Sequence, residues 1–191
     1  MKKLWSWLKF DKSIISQKMS LPVRASLIFA SWFYSGFLKP FSGSWGSLFA
    51  IPAAMLIGHY LGASMLIFFI IFTFIWGWFS VDTLIAHKIG AHDIKPVLTK
   101  TGIKNVASPH DPNFVVIDEV CGQSIALLPI YLFFASPYYA IPAFFLFRFF
   151  DMIKLWPSNF FDTKVENGVG VMTDDVFAGL YAAIILGLIL T

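Results

Sequence analysis

The sequence predicts an all-α integral membrane protein with about five transmembrane helices, and three observations carry this prediction. Hydrophobic residues make up 58% of the 191 residues and charged residues only 13%, a balance unusual for a soluble domain. Asp, Glu, Lys and Arg are absent from three long runs, residues 40–81, 120–147 and 176–191. The basic residues, finally, all fall on one predicted side of the membrane.

The first run predicts a helical hairpin. Its 42 uncharged residues divide at the polar, glycine-rich segment 58–62, which leaves two passes of about 19 residues each. The second run continues through apolar flanks to span 114–156, and a turn at 135–137 makes it a second hairpin. The last pass is predicted at 176–191, with a start as early as Val169 left open.

The N-terminal part is predicted to lie beside the membrane. Segment 25–38 has 14 uncharged residues, too few to cross, and is expected to be an interfacial or re-entrant helix. The N-terminal segment 1–24, the loop 82–113 and the segment 151–170 then share one side. All 14 Lys and Arg residues lie there, so the positive-inside rule makes this side the cytoplasm. Residues 1–191 are predicted to form a single membrane-embedded domain.

Composition excludes several classes of function. The net charge of +3, carried by scattered basic residues, does not suggest a nucleic-acid groove, and no nucleic-acid partner is expected. The single cysteine, Cys121, permits no internal disulfide and no cysteine-built zinc site. No oligomeric state is predicted.

Six of the 11 acidic residues lie near the ends of apolar segments. A charge there is costly unless it faces a cavity, a partner or a metal. Carboxylates at a helix start can instead cap the helix, an explanation open to Asp174 and Asp175. Asp151 lies near a predicted helix end, where the helix dipole disfavours an anion, and therefore indicates function more strongly. The six are Asp118, Glu119, Asp151, Asp162, Asp174 and Asp175.

Arg148, Asp151 and Lys154 are spaced three residues apart and are predicted to share one helical face. Two interpretations stay open. The row is either a local salt-bridge ladder at the membrane boundary, or a site where the Arg and Lys side chains bind phosphate beside a carboxylate that holds a divalent cation.

Two glycine-rich segments, 42–47 and 167–170, each precede an apolar run. Their backbone N–H groups, together with serine hydroxyls, are candidates for binding a phosphate. The candidate substrate-binding residues in these segments are Ser44, Gly46, Ser47 and Gly170.

Together these motifs resemble the phosphatidylglycerophosphatase A family of bacterial membrane enzymes. The resemblance covers roughly residues 30–190 and rests on SGSWGSL at 42–48, VIDE at 116–119, FRFFDMIK at 147–154 and GVGVMTDD at 168–175.

The resemblance implies a magnesium-dependent phosphatase of the bacterial inner membrane. Its substrate would be the anionic phospholipid phosphatidylglycerophosphate, hydrolysed to phosphatidylglycerol and phosphate in phospholipid biosynthesis. By motif position, Arg148 and Lys154 would bind phosphate. The metal ligands or catalytic bases would be Asp118, Glu119, Asp151, Asp174 and Asp175.

Other functions remain open at the level of sequence. The substrate could be another lipid phosphomonoester, such as phosphatidic acid or an isoprenoid phosphate. An ion-binding transporter is less well supported, because the acids cluster at one membrane face and none lies mid-membrane. A purely structural role is also less well supported, because it would not explain the paired acids or the row from Arg148 to Lys154.

Overall fold

The computed structural model describes residues 14–89, 112–165 and 167–191, and the backbone of short strands at 9–10, 97–99 and 102–104. The described chain is mainly helical. Its helices are α1 (Leu21–Ala30), α2 (Ser42–Ala86), α3 (Ile117–Leu132), α4 (Ala140–Ile153), α5 (Ser158–Lys164) and α6 (Gly168–Leu190). The strands β1 (Lys9–Phe10) and β2 (Leu38–Lys39) form one antiparallel pair, and β3 (Val97–Thr99) and β4 (Gly102–Lys104) form another.

Helix α2 is a hairpin that folds back on itself at Gly62. This residue has a φ of 83°, a left-handed conformation that favours glycine. Gly46 lies against Val116, and Gly77 lies against Ile117. A straight helix would separate these two glycines by about 45 Å, so their contacts with adjacent residues require a reversal. The predicted break at 58–62 is thereby confirmed.

Helices α3 and α4 form the second predicted hairpin. A 3-10 turn over Pro137–Tyr139 joins them, next to the predicted turn at 135–137. The N-terminus of α3 lies beside Gly46, and Tyr131 near its C-terminus lies against Gly58. A Cβ added at Gly187 of α6 would lie 3.7 Å from Phe133 at that same end. The starts of α2, α3 and α6 therefore lie together at one end of the bundle.

Several predicted boundaries were wrong. Helix α2 continues to Ala86, so the segment predicted as the loop 82–113 begins as helix and also contains β3 and β4. Helix α1 begins at Leu21 and ends at Ala30, earlier than the predicted segment 25–38. Helix α6 begins at Gly168, next to the start at Val169 that was left open and well before 176, because Asn167 caps it by accepting the Gly170 N–H. Residues 90–96, 100–101 and 105–111 of the predicted loop, and most of 1–13, lie outside the described residues.

Two described helices, α2 and α6, are long and apolar enough to cross a membrane. Each arm of the α2 hairpin alone has about the 20 residues that a crossing needs. Helices α3 and α4 have 16 and 14 residues, less than a usual span. The count of five crossings therefore stays a prediction. Large apolar side chains point outward from α2 and α6, among them Phe68, Phe72, Trp76, Phe79, Ile184 and Leu188.

Candidate active site

Three buried carboxylates meet between the first turn of α3 and the second turn of α6. Oxygen atoms of Asp118, Glu119 and Asp175 all lie within 4.8 Å of one another. The three residues are only 3%, 5% and 3% exposed. We call these residues the carboxylate trio. Carboxylates this close repel one another, and burial removes the water that would screen them, so the arrangement favours a bound cation.

A close contact between α3 and α6 assembles the trio. A side chain at Gly179 of α6 would collide with the backbone of Gly122 in α3. One at Gly122 would lie 2.5 Å from the carbonyl oxygen of Asp175. Small residues of this kind let two helices pack backbone to backbone. The contact brings Asp175 next to Asp118 and Glu119, which lie in the first turn of α3.

The other two candidate carboxylates that the structure describes are each paired with a basic side chain. Arg148 Nη1 lies 2.8 Å from Asp151 Oδ2 within α4. Lys154 Nζ donates to Asp174 Oδ2 at 2.5 Å. Asp174 directly precedes Asp175, and an added Cβ at Gly43 would contact both the Glu119 carboxylate and Arg148, the partner of Asp151. The structure therefore brings five of the six acids into one region, and the side chain of Asp162 lies outside the described residues.

The predicted helical row of Arg148, Asp151 and Lys154 is confirmed only in its first part. The ion pair between Arg148 and Asp151 has the expected spacing. Helix α4, however, ends at Ile153, and Lys154 follows with a φ of 48°. Lys154 thus lies outside the regular helix, and its ammonium bonds to Asp174 on α6.

The N-terminus of α2 borders the same region. A side chain at Gly43 would collide with the Glu119 carboxylate and would lie 3.2 Å from Arg148 Nη1. Arg148 Nη1 also donates to Ser47 Oγ at 3.4 Å. The N-cap residue Phe41 makes no side-chain cap. Backbone N–H groups at such a helix start are well suited to bind an anion.

The remaining predicted binding residues differ in their surroundings. Ser44 is half-buried in the first turn of α2. Gly46 packs against Val116, where an added Cβ would lie 2.6 Å from the valine Cβ. The Gly170 N–H donates to Asn167 Oδ1 at 3.1 Å. The structure thus gives Gly46 a packing role and Gly170 a capping role.

Asp82, which no sequence motif singled out, joins two helices beside the site. Its Oδ1 accepts the Gly168 N–H at 2.7 Å, and its Oδ2 accepts the Trp78 Nε1–H at 2.6 Å. These bonds tie the start of α6 to α2 and so help to fix Asp174 and Asp175. The available signal was the spacing of Trp78 and Asp82, four residues apart on one helical face.

The donor set fits a hard divalent cation. Mg²⁺ prefers oxygen ligands and usually takes one or two carboxylates together with water and substrate oxygens. The trio offers only carboxylate oxygens, and the Asp175 Oδ2 atom is buried with no hydrogen-bond partner among the described residues. Such an oxygen is available to a cation.

Comparison with known proteins identifies the family. The model of the family described as phosphatidylglycerophosphatase A matches residues 28–99 and 94–190. A Haemophilus influenzae protein of that name is 32% identical over 159 residues, covering 83% of this chain and 85% of the relative. The Escherichia coli protein of that name is 31% identical over 174 residues, covering 88% of this chain and 84% of the relative.

A third relative matches a shorter part of the chain. It is a Bacteroides thetaiotaomicron protein provisionally named as a phosphatidylinositol-3-phosphatase, 44% identical over 79 residues. The match covers 40% of this chain and 47% of that protein. No solved structure matches the chain significantly. The family match spans nearly the whole chain and agrees with the two longer relatives, so the chain belongs to the phosphatidylglycerophosphatase A family and is a phosphatase.

Proposed function

We propose that this phosphatase is magnesium-dependent and hydrolyses phosphatidylglycerophosphate to phosphatidylglycerol and inorganic phosphate in phospholipid biosynthesis. The observation that carries the proposal is the buried carboxylate trio, with oxygen atoms within 4.8 Å of one another. The names of the two longer relatives supply the substrate.

The phosphate is proposed to bind between the trio and two positive groups. One is the Arg148 guanidinium, held by Asp151 at 2.8 Å and by Ser47 at 3.4 Å. A guanidinium restrained in this way can offer its remaining N–H donors to phosphate oxygens. The other is the start of α2 at Gly43, whose backbone approaches both Glu119 and Arg148. Any side chain at Gly43 would collide with the Glu119 carboxylate, so this close approach requires glycine.

The proposed ligands for Mg²⁺ are Asp118, Glu119 and Asp175. When bound, the ion would neutralise the charge that develops on the phosphoryl group and help to orient the attacking water. Hydrolysis forms a bond from the water oxygen to phosphorus and breaks the bond from phosphorus to the lipid oxygen, which leaves as a hydroxyl. Arg148 would hold the phosphate in line for this attack.

Lys154 and Asp174 are proposed to support the site from α6. The ion pair joins the end of α4 to α6 at 2.5 Å. Asp174 Oδ1 also accepts the Asp175 N–H at 3.0 Å. Lys154 would thereby restrain both aspartates. Its other ammonium N–H groups would donate to a phosphate.

The site is proposed to face the cytoplasm at the headgroup level of the bacterial inner membrane. The segments that carry the acids lie at one end of the bundle, which suits a phosphate at the membrane surface. The outward apolar side chains of α2 and α6 would contact lipid acyl chains. Five crossings would place every Lys and Arg on the cytoplasmic side.

A second candidate substrate is an inositol lipid phosphomonoester. The Bacteroides relative, with 44% identity over 79 residues, favours it. The chemistry would be unchanged, because the trio and Arg148 would meet the same phosphomonoester group.

The test is phosphate release by the detergent-purified chain from three lipids: phosphatidylglycerophosphate, phosphatidic acid and phosphatidylinositol 3-phosphate. Each is assayed with Mg²⁺ and with EDTA. We expect preference for phosphatidylglycerophosphate and loss of activity in EDTA that Mg²⁺ restores. Preference for the inositol lipid would establish the second candidate, and undiminished activity in EDTA would overturn the magnesium assignment.

A further inference from the structure

Gln123 lies in α3 one turn beyond the carboxylate trio and belongs to no motif singled out in the sequence. Its residue is 0% exposed. Neither its Oε1 nor its Nε2 atom has a hydrogen-bond partner among the described residues. A buried amide that leaves both its acceptor and its donor unused is strongly unfavourable, so such groups normally have a partner.

The next residue of the same helix shows that a buried polar side chain can be satisfied here. Ser124 is also 0% exposed, and its hydroxyl donates to the Val120 carbonyl at 2.7 Å. The Gln123 amide, by contrast, has no such bond within the described chain. A small polar group that enters the protein would satisfy this amide.

The direction of the side chain indicates where that group lies. Gln123 follows Glu119 by four residues, so the two side chains share a face of α3. Side chains of an α-helix lean toward its N-terminus, which directs the Gln123 amide toward Glu119. On the other side, Leu127 packs in an apolar cluster with Ala54 and Leu66. Gln123 is the last polar group on this face before the apolar core.

We propose that Gln123 is a positioning residue of the active site and that its amide binds an internal water which donates to the Glu119 carboxylate. Water suits the amide because it can donate to Oε1 and accept from Nε2. The bond to Glu119 would fix the orientation of this carboxylate toward the cation. The inference rests on the proposed function, because it assigns Glu119 to cation binding. Groups that orient metal ligands in this way strongly affect metal affinity.

The test compares Gln123→Met with the matched control Ser124→Ala. Methionine has a similar length and volume but cannot form the two hydrogen bonds. The readouts are the dissociation constant for Mn²⁺ by electron paramagnetic resonance, kcat and KM with phosphatidylglycerophosphate, and the melting temperature. A Gln123→Asn variant, which keeps the amide but withdraws it by one methylene, provides a second probe.

For Gln123→Met we expect Mn²⁺ binding about 10-fold weaker or more, a lower kcat, and an unchanged KM for the lipid. The melting temperature should not fall, because an unpaired amide is replaced by an apolar group. Gln123→Asn should show a smaller loss, and Ser124→Ala none. Wild-type Mn²⁺ affinity and kcat in Gln123→Met would overturn the inference and leave the proposed function standing. Absence of Mn²⁺ binding and hydrolysis in the wild-type chain would overturn both.

Discussion

The Lys154 ammonium lies 2.5 Å from the Asp174 carboxylate and joins the end of α4 to α6. The side chain of Asp174 is 7% exposed and that of Lys154 is 28% exposed. A carboxylate this deeply buried depends on its cation, since removing one partner of a buried ion pair leaves an uncompensated charge.

Replacing Lys154 with methionine should lower the free energy of unfolding. We expect a loss of about 2–4 kcal/mol, slightly below the usual range for a fully buried pair because Lys154 keeps some contact with water. Thermal unfolding in detergent measures the effect. The double variant Lys154→Met/Asp174→Asn should recover most of the stability without recovering activity. If the double variant is no more stable than Lys154→Met, an unpaired Asp174 carboxylate is not the cause of the lost stability.

Gly179→Ala should separate α3 from α6 and misplace Asp175. The added methyl would collide with the Gly122 backbone, and overpacking of this kind typically costs about 1–3 kcal/mol. We expect phosphatase activity to fall by a larger factor than the folded fraction. Gly187→Ala is the matched control on the same helix, because its Cβ would lie 3.7 Å from Phe133, an ordinary contact. Equal activity in the two variants would contradict a close contact at Gly179.

Arg148→Met should weaken binding of the lipid phosphate. Charged hydrogen bonds are worth about 1.5–3 kcal/mol, so KM should rise by about 10- to 100-fold. Ser47→Ala removes only one long contact to the guanidinium, 3.4 Å in length, and should raise KM far less. The measurement is steady-state kinetics in mixed micelles. An Arg148→Met variant with an unchanged KM would remove Arg148 from substrate binding.

Asp82→Ala should release the start of α6. Losing the bonds from Gly168 and Trp78 should cost about 1–3 kcal/mol of stability and should also lower kcat, because Asp175 is carried on α6. Thr83→Ala is a neighbouring control whose hydroxyl bonds only to the Phe79 carbonyl among the described residues. Activity equal to wild type in Asp82→Ala, measured well below its melting temperature, would show that α6 is positioned by other contacts.

The helical hairpins could be predicted from the sequence because they follow from local features. The break at Gly62 lies in a short polar segment between two apolar runs, and the pair Arg148–Asp151 has a spacing fixed by the helix itself. Convergence of the acids followed from topology, because the starts of α3 and α6 and the end of α4 lie at the same end of the bundle.

The parts that could not be predicted depend on contacts between distant segments. The left-handed backbone of Lys154 and its bond to Asp174 require the packing of α4 on α6. The bond from Gly168 to Asp82 spans 86 positions of the chain. The start of α6 was ambiguous because its first four residues alternate glycine with valine. The capping role of Asn167 is visible only in the structure, where its side chain accepts the Gly170 N–H.

The central claim is that Asp118, Glu119 and Asp175 form a divalent-cation site, and direct cation binding tests it most sharply. Mn²⁺ binding is measured by electron paramagnetic resonance in the wild-type chain and in Asp175→Asn, with competition by Mg²⁺ and with folding checked by circular dichroism. We predict saturable, Mg²⁺-competed binding that weakens by at least about 100-fold in the folded variant, because one of three charged ligands is lost. Unchanged Mn²⁺ affinity in Asp175→Asn, or no binding by the wild-type chain, would contradict it.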